Sequence, residues 1–340
     1  MSFDESKLRD FLIEVGLAVN AKCRESFESS KDLSAEVKES PADIIYRVDI
    51  EAEEVIVSMM ESRASEFGGI TLLAEGIGEN DFSVYPKGID PKYTKVKIIC
   101  DPIDGSRGLM YGKRPAFFLA AGGHSSARTL NDLTVSVMVE LPIPKQGSWD
   151  VLSAVLGQGF NVQRYNDNGF ENTEELHLST KTSIEGAFFS IVKSCYPGKD
   201  FIASIEEELL DKIFANRDKE FLPVFDDQYI CTGGQLYELI CGHDCFVGDF
   251  RSVMYEKFSR EGKRIGQVSH PYDMAGLLIG REAGLIITDA YGSEFDAPLE
   301  MLCGIDWFGY ANEAIQNQIE KPLLSILESR GLFEKMPSKN

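Results

Sequence analysis

Asp101-Pro102-Ile103-Asp104-Gly105-Ser106 sets two carboxylates three residues apart, where an apolar run gives out. Hard cations such as Mg²⁺ take oxygen ligands, commonly one or two carboxylates completed by water and phosphate. Pro102 restricts the backbone and Asp104-Gly105 favours a turn, so both carboxylates can face one spot. Gly105, Ser106 and Arg107 then open a short helix, whose first backbone N–H groups suit an anion. An isolated Asp-Gly is only a polar turn; the whole string carries the chemistry.

A strand must deliver that string. Lys95-Val96-Lys97-Ile98-Ile99-Cys100 reads as this strand, stopping at Asp101-Pro102, and open sheets place their sites at strand ends. Before it, Leu8, Phe11, Leu12, Val15 and Val19 recur at helical spacing, with Ser6 as the cap. A second helix begins near Asp49, with Glu51, Glu53 and Glu54 in its first turn and Val55, Ile56 and Met59 as its buried stripe. Strands at 116–121, 134–141, 151–156 and 160–165 follow, with a turn at Asp167-Asn168-Gly169. This is a β-meander. After residue 180 the pattern shifts to a strand at 187–192 and helices at 201–214, 231–241 and 272–283. Two tightly packed subdomains are expected, 1–180 and 181–340.

Composition narrows the class. Of 340 residues, 43% are hydrophobic and 26% charged, which excludes a disordered, collagen-like or mucin-like chain. The net charge of −21 repels nucleic acid and anionic membranes, so neither is expected as a partner. Seven cysteines show no zinc spacing; Cys241 and Cys245 lack a matching second pair. Reduced, mostly buried thiols in a cytoplasmic protein are expected. The start Met1-Ser2-Phe3-Asp4-Glu5 does not read as a signal peptide, and no run approaches a membrane span.

The string at 101–106 resembles the first signature of the inositol monophosphatase family, lithium-sensitive and Mg²⁺-dependent phosphatases. Three further segments agree in order and spacing. Lys38-Glu39-Ser40-Pro41-Ala42-Asp43 with Val48-Asp49 is similar to the family's early segment. Leu72-Leu73-Ala74-Glu75-Gly76 falls where the family has paired acids. His270-Pro271-Tyr272-Asp273-Met274-Ala275-Gly276, followed by Arg281-Glu282-Ala283-Gly284 and Asp289, resembles the late signature. The likeness runs from Lys38 to Asn312.

The resemblance implies an α/β (α+β) fold, a layered α-β-α-β-α sandwich shared with fructose bisphosphatases. It implies that residues 1–180 bind metal and phosphate and that 181–340 complete the active site. Glu75, Asp101 and the Ile103 carbonyl would hold one metal; Asp101, Asp104 and Asp273 would hold the second. Glu75 thereby joins Asp49 and Ser106 in the catalytic group, the latter two orienting and deprotonating the attacking water. Gly105 and Ser106 would bind the phosphate, and Asp273 would also face the substrate. Asp249 falls near the family's acid for substrate hydroxyls. Two or three Mg²⁺ ions, a homodimer and lithium sensitivity are family expectations. Four ligand carboxylates against two divalent ions sum to zero charge, which leaves room for an anionic substrate.

Departures from the pattern are specific. Gly76 replaces the second acid, Tyr46 stands where Thr is common, and Arg107-Gly108 replaces a small polar pair. Arg107 either reaches the phosphate or covers the site. His124, His177, His243 and His270 read as structural, with a place at the mouth of the site as the alternative for His270. The segment Arg251 to Gln267 carries Arg251, Lys257, Arg260, Lys263 and Arg264, a basic stretch in an acidic chain. It either attracts a second anionic group of the substrate or is a solvated loop.

The expected function is Mg²⁺-dependent hydrolysis of a small phosphate monoester: an inositol phosphate, a sugar phosphate or bisphosphate, or a 3′-phosphoadenosine nucleotide. A haloacid-dehalogenase-type phosphatase needs one residue between its two acids, whereas Pro102 and Ile103 both intervene. The alternative from another class is a catalytically silent protein that binds metal or a phosphorylated ligand.

Overall fold

The computed structural model describes residues 3–29, 36–39, 44–215 and 222–333, with backbone alone at 29, 36–39 and 44–46. The side chains of Lys38 and Tyr46, and residues 40–43 altogether, lie outside what is described.

Helix α1 (Glu5–Ser29) comes first, then the antiparallel pair β1 (Glu36–Glu39) and β2 (Ile44–Tyr46), then α2 (Arg47–Arg63). Next come β3 (Ile70–Ala74), β4 (Phe82–Tyr85), β5 (Val96–Asp104), the short α3 (Ser106–Met110) and β6 (Ala116–His124). The meander continues as β7 (Leu133–Leu141), β8 (Ser148–Val155), β9 (Phe160–Asn166) and β10 (Gly169–Glu174). Beyond it lie β11 (Phe188–Ile191), α4 (Lys199–Phe214), α5 (Thr232–Ile240), β12 (Asp244–Asp249) and α6 (Arg251–Arg260). The chain closes with α7 (Leu277–Glu282), β13 (Ile286–Thr288), β14 (Trp307–Tyr310) and α8 (Glu313–Ser329).

Eight strands form one sheet in the order β10-β9-β8-β7-β6-β5-β3-β4, and four form a second in the order β11-β12-β14-β13. In the large sheet β3 and β5 run parallel, and its other pairs run antiparallel. α1 and α2 cover one face of this sheet. α5 and α7 cover the other and stand between the two sheets; α4, α6 and α8 pack beyond the small sheet. The result is the α-β-α-β-α layering expected from the sequence.

Period-two side chains explain the central strands. Val96, Ile98 and Cys100 enter the core under α1 and α2, while Ile99 enters the core between the sheets. In β6, Phe118 and Ala120 take the first side, Phe117 and Leu119 the second. A strand buried on both faces reads as an unbroken apolar run, as β6 does from Ala116 to Ala121, whereas Lys97 interrupts β5. α1 docks through Leu8, Phe11, Leu12, Val15 and Val19, all fully buried. Each contributes about 1.5–3 kcal/mol relative to exposure, which a lone helix would lack.

Three local expectations are corrected. Asp4, not Ser6, caps α1: its carboxylate accepts the Lys7 N–H at 3.0 Å. α2 starts at Arg47, two residues early, and buries Val48, Ala52, Ile56 and Met60, with Val55 and Met59 only half-buried. The helix expected at 272–283 is two pieces, a 3₁₀ turn at Pro271–Met274 and then α7. Pro271 starts that turn with a fixed φ, and the Asp273 side chain closes it on the His270 N–H. The 180 boundary falls in the connection between β10 and β11.

Candidate active site

β5 does not stop at Asp101; it runs on to Asp104. Residues three apart on a regular strand face opposite sides. Here Asp101 pairs with Leu119 and Asp104 with Phe117, so three residues of β5 oppose two of β6. This bulge absorbs the odd residue and turns both carboxylates to one side. Pro102 sits within it, where a missing ladder N–H is tolerated. Leu119 and Phe117 belong to the core between the sheets, so the two acids face that middle layer.

The third acid arrives there from the 3₁₀ turn. Asp101, Asp104 and Asp273 offer oxygens that all lie within 4.8 Å of one another. Asp101 Oδ1 accepts the Ile103 N–H at 3.0 Å and Asp273 Oδ2 the His270 N–H at 2.7 Å. Asp104 Oδ2 accepts the Gly233 N–H at 2.5 Å, at the start of α5, and the Cys231 thiol donates to the Asp104 carbonyl at 3.2 Å. Burial, followed by repulsion from Glu75, Asp104 and Asp273, holds Asp101 well above the usual carboxylate range. Burial and Asp104 do the same to Asp273. Burial lifts Asp104 to about 7, against its backbone hydrogen bonds. Three dehydrated carboxylates at one point favour a proton or a cation between them. An all-oxygen donor set of this charge fits a hard divalent ion such as Mg²⁺.

Glu75 follows β3, the parallel neighbour of β5, and accepts the Tyr272 hydroxyl at 3.4 Å. Asp49 lies in the first turn of α2, and Ser106 opens α3. Gly105 precedes it at φ +92°, where a Cβ would come within 2.9 Å of Cys231 Cβ. Only glycine allows the chain to turn this tightly against α5.

A cavity of about 460 Å³ joins these groups. Asp49, Glu75, Asp101, Ile103, Asp104, Gly105, Ser106, Arg107 and Asp273 all line it, and His270 does too. Asp249 does not. It is fully buried at the end of β12, and its oxygens accept Arg251 Nε at 2.9 Å, Arg251 Nη2 at 2.6 Å and Ser269 Oγ at 2.9 Å. Arg251 stands at the cavity wall in its place. The rest of the basic segment points elsewhere. Lys257 and Lys263 both pair with Glu261 at 2.7 Å, while Arg260 and Arg264 are exposed away from the lining.

Several lining residues escaped the sequence reading: Glu53, Asp81, Thr232, Ser269 and Tyr272. Glu53 had a signal, because it lies four residues after Asp49 and so shares its helix face. Burial, then Asp49 and Asp81, raise the Glu53 carboxyl to about 7. Gly76 explains the departure beside Glu75. At φ +76° any side chain there is strained, and its Cβ would come within 2.3 Å of Glu53 Oε1, so the flexible Glu53 carboxyl would have to swing aside.

No protein-family model matches the chain, and among curated proteins none matches it in sequence. Solved structures do. The extragenic suppressor protein suhB from Bartonella henselae is similar at TM-score 0.63 and 16% identity, over 93% of this chain and 98% of that one. The Thermotoga maritima IMPase matches at 0.60 and 19%, over 94% and 98%. The MJ0109 gene product, an inositol monophosphatase-fructose 1,6 bisphosphatase, matches at 0.59 and 17%, again over 94% and 98%. At these identities the likeness is one of architecture, and it spans nearly the whole length of both partners: the chain has the inositol monophosphatase fold.

Proposed function

We propose that the chain is a Mg²⁺-dependent phosphatase that hydrolyses a small phosphate monoester. The observation that carries this is the triad Asp101, Asp104 and Asp273, the first two buried and the third half-buried, in the lining of a cavity that also holds Gly105 and Ser106. The printed names of similar structures, an inositol monophosphatase-fructose 1,6 bisphosphatase among them, support the same class. Asp101, Asp104 and Asp273, with Glu75 and the Ile103 carbonyl, would hold two ions, or three with other lining acids in place of a residue-76 carboxylate. When bound, Mg²⁺ supplies positive charge to the phosphate and lowers the pKa of a water.

The remaining work falls to the chain's own groups. The backbone N–H groups at Gly105 and Ser106 orient the phosphate oxygens. Asp49 and the Ser106 hydroxyl align the water, and an Asp49 carboxylate oxygen takes its proton. The dehydrated walls strengthen each of these contacts. Inositol phosphates, sugar phosphates or bisphosphates and 3′-phosphoadenosine nucleotides are the substrate classes in view.

Phosphate release with Mg²⁺ and with chelator, over one member of each class, tests the reading. Wild type should release phosphate from at least one member with Mg²⁺ alone. Asp101→Asn should reduce that release by about 10³-fold or more, since it strips a shared ligand. Release that persists in chelator or in Asp101→Asn overturns the assignment. Mg²⁺ binding without release from any member favours a silent binding protein.

A further inference from the structure

We propose that Arg251 is a specificity-determining residue, seating a second oxyanionic group of the substrate, phosphate or carboxylate, in the cavity that holds the acid triad. The proposal rests on the phosphatase reading and refines its substrate class.

The cavity is strongly acidic, lined by Asp49, Glu53, Glu75, Asp81 and the triad. Among its described lining residues the lysine and arginine side chains are those of Arg107 and Arg251. Arg107 belongs to the α3 segment that would seat the reacting phosphate. Arg251 comes from another element, the first residue of α6, and only 8% of it is exposed.

Its guanidinium is held from behind. Nε and Nη2 donate to Asp249, Nη2 also donates to Ser269 Oγ at 3.1 Å, and Nη1 donates to the Gln267 carbonyl at 3.2 Å. Ser269 Oγ is itself fixed by Asp249 and by Thr232 Oγ1 at 3.2 Å. Four of the five N–H groups are thereby placed, and the second Nη1–H has no acceptor among the described residues. A fork pre-aligned in this way loses little freedom when it meets an oxyanion. Stability alone is a weak reason for the pair, because apolar residues of like volume serve a buried site as well.

The position suits a substrate with two charges. Arg251 lies close enough to Asp273 for its charge to be felt there. A volume of about 460 Å³ takes a sugar or nucleoside carrying both groups.

The test is calorimetric binding to the Ca²⁺-loaded protein, using matched ligands that differ in one anionic group. Suitable pairs are fructose 1-phosphate with fructose 1,6-bisphosphate, adenosine 3′-phosphate with adenosine 3′,5′-bisphosphate, and glycerol 3-phosphate with 3-phosphoglycerate. The last pair reports a carboxylate and the others a phosphate. Wild type should bind the doubly anionic member of at least one pair about tenfold tighter or more. Arg251→Lys should bring that ratio near one. So should the double variant Asp249→Asn/Arg251→Met, which leaves no buried charge unpaired. Arg260→Gln/Lys263→Gln/Arg264→Gln should keep the ratio. A wild-type ratio near one in every pair, or a ratio that survives in both Arg251 variants, overturns the proposal. The ratio shift without any Mg²⁺-dependent phosphate release would keep the anion seat and sink only the hydrolysis.

Discussion

Replacing Asp104 by Asn probes the acid triad without dismantling it. Asn keeps a carbonyl oxygen for the Gly233 N–H but cannot titrate. In the folded chain Asp104 titrates at about 7, raised from 3.8 mainly by burial. A folded pKa above the unfolded one means that the native state binds the proton more tightly. The associated stability is full below about pH 4 and is lost as pH rises through about 7. Between pH 5 and 8 the wild type in chelator should lose about 3 kcal/mol relative to Asp104→Asn, at 1.36 kcal/mol per unit. For 340 residues the unfolding entropy is about 0.7 kcal/mol/K, so the gap in Tm should move by about 4 °C. Thermal melts of both proteins at the two pH values measure this, and their difference removes the repulsion shared by the whole acidic chain. With Mg²⁺ at about a hundred times Kd, wild type at pH 8 should regain about 3 kcal/mol, and the variant markedly less. Parallel pH slopes in the two proteins, or equal Mg²⁺ stabilisation, would refute the argument that a dehydrated Asp104 carboxylate sits at a cation seat.

Two glycines provide further tests. Gly105→Ala forces a Cβ onto Cys231 at positive φ, and should cost about 3 kcal/mol and most activity, read by melting and phosphate release. Unchanged melting would show that the turn relaxes freely. Gly76→Glu, which supplies a second acid beside Glu75, should destabilise by about 1–2 kcal/mol, because residue 76 sits at φ +76°. A Mg²⁺ titration followed by melting should show no gain in metal affinity; a tighter, more stable variant would contradict the account of backbone strain.

The parts legible in the sequence are those where local chemistry and tertiary structure agree. Leu8 to Val19 and the runs in β5 to β9 carry a period that burial enforces. The acids at 101 and 104 are legible from residue type and spacing, and Asp273 only from the resemblance of its segment to a family signature. What made them converge was not legible. A strand ending at Asp101 was the natural reading, whereas the bulge depends on how β6 pairs with it. Tyr272 to Ala283 has a helical stripe, but Pro271 and the Asp273 cap bend its start into a 3₁₀ turn. Asp249 and Arg251 were separated into an acid for hydroxyls and a basic stretch. Their pairing across one residue, with Ser269 brought in from elsewhere, is a tertiary fact without a local pattern.

The grip of Gly233 on Asp104, with Asp273 alongside, also sets an order of events during synthesis. Asp101 and Asp104 leave the ribosome long before α5 and the Pro271–Met274 turn. Until those segments arrive, the end of β5 carries two hydrated, ordinary acids. Docking of the later chain dehydrates them and creates the demand for a cation in the same act. Any metal capture would thus be a late fastening step: a nascent chain halted near residue 180 contains all eight strands of the large sheet but neither α5 nor Asp273.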